Sequence, residues 1–135
     1  MSPQAIFQQM YDRDPFSQWL GVELVEVGTG HCTLRMRVRA EMLNGFGVAH
    51  GGITFSLADS AFAFACNSQG RQAVSIHCSV EHVAPVMEGD MLTATATEEH
   101  LGQSVSNYKV QVIKASGQPV AFFRGVAYRK QQPWE

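Results

Sequence analysis

Residues 53–69, ITFSLADSAFAFACNSQ, limit the possible folds more than any other stretch. Ile53, Leu57, Ala61 and Phe64 share one face at helical spacing, and Phe55, Ala58, Phe62, Ala65 and Cys66 fill most of the rest. A helix that is apolar nearly all round has to be buried, and Gly70 follows it as a natural stop. One flat sheet face cannot cover such a helix, whereas a sheet curled around it can.

The remaining chain supplies that sheet. Ser2-Pro3 has the form of an N-cap followed by proline at the first helical position. Ala5, Ile6, Gln9, Met10 and Arg13 continue it as a short amphipathic helix ending before Pro15. From Gly21 the period becomes two, with Val22, Leu24 and Val27 on one strand and a turn at Gly28-Thr29-Gly30. Leu34, Met36 and Val38 then alternate with Arg35, Arg37 and Arg39, the mark of a half-buried antiparallel strand. Residues 41–52 hold four glycines and read as a loop. Further strands are expected at about 73–83, 91–99, 105–114 and 120–129, with residues 131–135 as a loose tail. Strands do not alternate with helices, so the fold class is α+β: one long central helix wrapped by a curled antiparallel sheet of about six strands. At 135 residues, 45% of them hydrophobic, the chain suits one domain over 1–135 with one core.

Composition removes several functions. The net charge is −2 with no basic block, which argues against nucleic acid as a partner. Cys32, Cys66 and Cys78 are odd in number and form no CxxC, which argues against a disulfide framework or a zinc site and for reduced thiols in a cytoplasmic protein. His77 and His82, five apart on a strand, face opposite sides, so no metal site is expected. The N-terminus lacks the pattern of a signal peptide, and no apolar run nears the roughly 20 residues of a membrane span.

Asp59 is the one charged side chain of the apolar helix. Burying an unpaired carboxylate is costly; it either reaches a rim or subunit interface, or serves as general base or nucleophile beside a cleft. His50-Gly51-Gly52 stands at the helix start, where free N–H groups could polarise a carbonyl and hold an oxyanion, although glycines also simply form turns. Asn44 could orient a water or the carboxylate, or just begin an Asn44-Gly45 turn; His50 could touch substrate but is better suited to bonding loop backbone. Gly51 and Asp59 are eight residues apart, about 12 Å along a helix. One carbonyl cannot meet both in one subunit, so their joint action requires a homodimer with shared sites.

The run Leu43-Asn44-Gly45-Phe46-Gly47-Val48-Ala49-His50-Gly51-Gly52, followed by Phe55-Ser56-Leu57-Ala58-Asp59, resembles the signature of hotdog-fold acyl-CoA thioesterases, nearest to those of phenylacetate degradation. The resemblance implies a hotdog fold, dimers paired edge to edge, often in tetramers, and hydrolysis of phenylacetyl-CoA or its ring-hydroxylated relatives without a cofactor. It also implies Asp59 as the catalytic carboxylate, Gly51 as the oxyanion glycine, supporting roles for Asn44 and His50, and a helpful serine at Ser75. Gly52, Phe46, Val48 and Phe62 are candidates for the acyl pocket, with Phe64 beside them, and Arg71, Arg124, Arg129 and Lys130 for the CoA phosphates, each with core packing or a solvated surface as its plainer use. Two rivals stand: a hotdog hydratase or dehydratase using His50 and Asp59 as proton carriers, and a non-catalytic acyl-CoA binding protein.

Overall fold

A computed structural model describes residues 1–135. Helix α1 spans Pro3–Asp12, with the Ser2 hydroxyl accepting from the Ala5 amide at 3.1 Å. A second helix, α2 (Pro15–Leu20), follows at once and was not expected. Pro15 ends α1 and also opens α2, because its fixed φ suits the first helical position and Asp14 caps the amide of Ser17 at 2.9 Å. Gly21, at φ +78, then turns the chain into the sheet.

The strands are β1 (Glu23–Gly28), β2 (His31–Arg37), β3 (Arg71–His82), β4 (Met91–Leu101), β5 (Val105–Lys114) and β6 (Pro119–Pro133). They form one antiparallel sheet in the order β1-β2-β4-β5-β6-β3. Between β2 and β3 lies the central helix, α3 (Gly51–Asn67), which touches every strand. Its start is two residues earlier than expected: His50 caps it, so Gly51 and Gly52 are its first helical residues and not loop.

Strict alternation decides which face of each strand meets α3. Leu92, Ala94 and Ala96 of β4 are fully buried, while Thr93, Thr95 and Thr97 point to the other face. Cross-strand pairs Leu34–Ala94 and Ala94–Val112 carry that buried face across three strands. The small residues Ala94, Ala96 and Ala127 of the sheet share one core with Leu57, Phe62 and Ala65 of α3. Phe62 meets Tyr108 edge-on at 5.7 Å and Phe123 at 5.8 Å.

The expected loose tail is instead fixed. Strand β6 runs to Pro133, and Trp134 donates its backbone N–H to Gly70 and its indole N–H to Asn67 Oδ1 at 2.9 Å. Asn67 also bonds both backbone groups of Ala73, and the Arg71 guanidinium donates to three carbonyls, of Gln103, Arg129 and Lys130. These bonds tie the tail and the start of β3 to the end of α3, whose own last carbonyls are met locally, Ala65 by the Ser68 amide and hydroxyl and Asn67 by the Gly70 amide.

Gly125 of β6 lies directly against α3: a Cβ there would stand 2.7 Å from the Phe62 ring. Gly125→Ala should therefore destabilise the fold by about 1–3 kcal/mol through overpacking. Urea unfolding would read this as a lower midpoint at unchanged slope; an unshifted midpoint would mean the ring yields freely.

Candidate active site

Two clusters of the expected site residues lie at different points along α3. The first is the loop before the helix. Leu43 and Ala49 bridge, and between them the Asn44 side chain builds an Asx turn: its Oδ1 accepts from the amides of Phe46 at 2.9 Å and Val48 at 3.3 Å. Gly47, at φ +80, completes the turn. Those bonds leave the Asn44 Nδ2 as a donor without a partner in the chain. Ala49 and His50 donate to the carbonyls of Val86 and Met42, which ties the loop to the connection between β3 and β4 and to the turn that precedes the loop.

His50 sets the next step. Its Nδ1 accepts from the Gly52 amide at 2.9 Å, so in this arrangement Nδ1 is unprotonated and the ring is held as an N-cap. The Ile53 amide bonds the His50 carbonyl at 2.9 Å. Gly51 is the exception, since its N–H has no acceptor in the chain. It borders an open cavity of about 430 Å3 lined also by Val48, Thr54, His82 and residues 83–86. His82 was not singled out from the sequence for this place, yet a Cβ on Gly51 would stand only 3.2 Å from its Nε2. A second hollow, of about 360 Å3, lies on the opposite face of the sheet between Thr95, Gln111 and Phe122, away from these residues.

The second cluster surrounds Asp59, two helical turns further on. Asp59 is half-buried, and its Oδ1 faces the Cys78 thiol of β3 at 3.8 Å. Burial pushes the Asp59 carboxyl pKa up; the Cys78 hydrogen bond opposes this, and the negative charge of Asp14 adds to it. Ser75 is exposed on β3 and close enough to the thiol to favour its charged form. Residues 75 and 78 would face opposite ways on a regular strand, but an irregularity between Ser75 and His77 brings them to one side. Nothing in the sequence marks that bulge, and Cys78 was read only as a plain thiol.

The remaining candidates divide. Phe46 is 92% exposed at the loop tip, while Phe62 is 1% exposed and lies in the core, not on the cavity. Gly52 is exposed with its amide engaged by His50, and Phe64 is buried against Phe7. Among the cations, Arg71 and Arg129 hold backbone carbonyls and Arg124 pairs with Glu99; Lys130 alone of the four has no such partner.

The chain matches the Thioesterase superfamily over residues 46–121. It is 42% identical over 120 residues to the acyl-coenzyme A thioesterase PaaI of Escherichia coli, covering 89% of this chain and 86% of that one. The solved E. coli PaaI protein from the phenylacetic acid degradation operon superposes with a TM-score of 0.95 at 38% identity, over 97% of this chain and 95% of that one. A Streptococcus mutans protein solved bound to acetyl CoA superposes at 0.81 with 26% identity, over 84% and 91%.

The surroundings of Asp59 have a consequence for stability. Its folded pKa is raised, so the folded chain holds the proton more tightly than the unfolded one. Stability is then greatest below the unfolded pKa and falls as pH rises through the folded pKa. Asp59→Asn should raise the thermal midpoint at neutral pH, and the gain should shrink as pH falls toward the ordinary Asp range. Equal midpoints at neutral pH would show that the buried charge carries no penalty.

Proposed function

Since the chain belongs to the Thioesterase superfamily and is a thioester hydrolase with the hotdog fold, we propose that it hydrolyses phenylacetyl-CoA, or a ring-hydroxylated phenylacetyl-CoA, to the free acid and CoA in the cytoplasm. The acyl group is inferred from the likeness to the E. coli protein of the phenylacetic acid degradation operon. The three free cysteines fit the compartment.

One observation carries the site: the Gly51 amide is the free donor at the start of α3, while the amides on either side of it and that of Ile53 are engaged. In the proposed reaction the thioester carbonyl sits on that N–H, where the helix end stabilises the oxyanion. Asp59, made more basic by burial, deprotonates the attacking water or attacks the carbonyl carbon itself. His50 fixes the glycine geometry, and the Asn44 Nδ2 reaches water or carboxylate. His50 is a poor proton carrier for a hydratase while Nδ1 serves as the cap.

The two halves come from different chains in this reading, because about 12 Å of helix separates Gly51 from Asp59. Strand β3 fits the pairing edge. It has a neighbour on one side only, and Val74 and Ile76 are 46% and 60% exposed. In the resulting dimer the exposed Phe46 and Ser75 face the shared sites, and dimers pair further into tetramers.

Thiol release from phenylacetyl-CoA, a hydroxyphenylacetyl-CoA and a short straight-chain acyl-CoA tests the reading. The aromatic esters should be preferred. Asp59→Asn should lose on the order of 10²–10⁴-fold in kcat, with Asn44→Ala losing less. Gly51→Pro deletes the N–H at a helix position that tolerates proline and should lose on the order of 10²-fold. Full turnover in either the Asp59 or the Gly51 variant would exclude that residue.

Mixing the inactive Asp59→Asn and Gly51→Pro proteins tests the shared site directly. Random reassortment of subunits should restore about a quarter of the wild-type activity. No recovery after proven subunit exchange would place each site within one chain.

A further inference from the structure

We propose that Cys78 is the positioning residue of Asp59, its thiol donating to Oδ1 and leaving Oδ2, which has no partner within the chain, free for the reacting centre. This rests on the reading of Asp59 as the catalytic carboxylate.

Cys78 differs from the other two cysteines. Cys32 and Cys66 are fully buried, and burial pushes their thiols up to about 12. Cys78 is half-buried and reaches the carboxylate of α3 from β3, across the helix–sheet contact. The bulge between Ser75 and His77 puts it on that side of the strand. The groups facing Asp59 are Asp14 before α2, Cys78 on β3 and Cys66 two turns along α3. Of these, Cys78 alone bonds the carboxylate. Burial and the Asp59 charge hold the Cys78 pKa above the ordinary thiol range, so at neutral pH it is a donor and not a second anion.

A thiol is a weak donor. It can fix the direction of one carboxylate oxygen and hold its pKa below what burial alone would give, while leaving the group basic enough to act as a general base. The negative charge of Asp14 acts to raise that basicity. The carboxylate is thus oriented by β3 and made more basic by its surroundings.

The test is a 13C NMR titration of the Asp59 carboxyl, assigned by its loss in Asp59→Asn, alongside the pH profile of kcat for thiol release. Cys78→Ala and Cys78→Val remove the donor, the second keeping bulk and strand preference should the first fold poorly. Both should move the Asp59 titration, and the acid limb of kcat with it, to higher pH. Cys78→Ser keeps a donor and should not. An unmoved titration in the donor-free variants, or a Ser variant that shifts as far as they do, overturns the proposal. A titration that moves while the acid limb stays in place removes Asp59 from catalysis, and with it the positioning role of Cys78.

Discussion

The burial of α3 under a single curled sheet is the contact on which the rest of the molecule depends. The helix is apolar on nearly every side and touches all six strands, so no strand can shift without exposing part of it. Burial of this kind supplies most of the folding free energy of a domain. The polar exceptions of the helix include the N-terminal turn, where the Gly51 N–H is free beside a cavity, and one half-buried carboxylate where helix meets β3.

Much of this was legible in the sequence because it rests on periodicity. The three-to-four-residue spacing of Ile53, Leu57, Ala61 and Phe64 marked the helix, and the alternation through Thr93–Thr97 and Leu34–Val38 marked which faces meet it. The errors came where one residue type has two uses. Pro15 stops α1 and also starts α2. Gly51 and Gly52 look like loop but are helical once His50 caps them. Residues 131–135 carry no strong pattern, and only long-range bonds from Trp134 and Arg71 reveal why they are ordered. Cys78 was missed because its direction depends on a strand irregularity, which is a property of pairing and not of local sequence.

The polar side chains follow a common rule. Asn44 and His50 spend one side of their hydrogen-bonding capacity on nearby amides and so point the other side outward. Arg39, Arg71 and Arg129 hold carbonyls of segments distant in sequence. A buried backbone oxygen needs a donor wherever no ladder supplies one. Several residues that look like ligand contacts by type are thus occupied with the chain itself, and any CoA phosphate would have to find its cations among those left over.

The strand order also has a temporal meaning. Strand β3 pairs with β6 and with nothing else, and β4 and β5 lie between them in the chain. During synthesis, residues 71–82 therefore leave the ribosome with no partner and wait until residues 119–133 have been made. The sheet cannot close until β6 has been made, and until then both edges of β3 are open to any extended peptide that meets them.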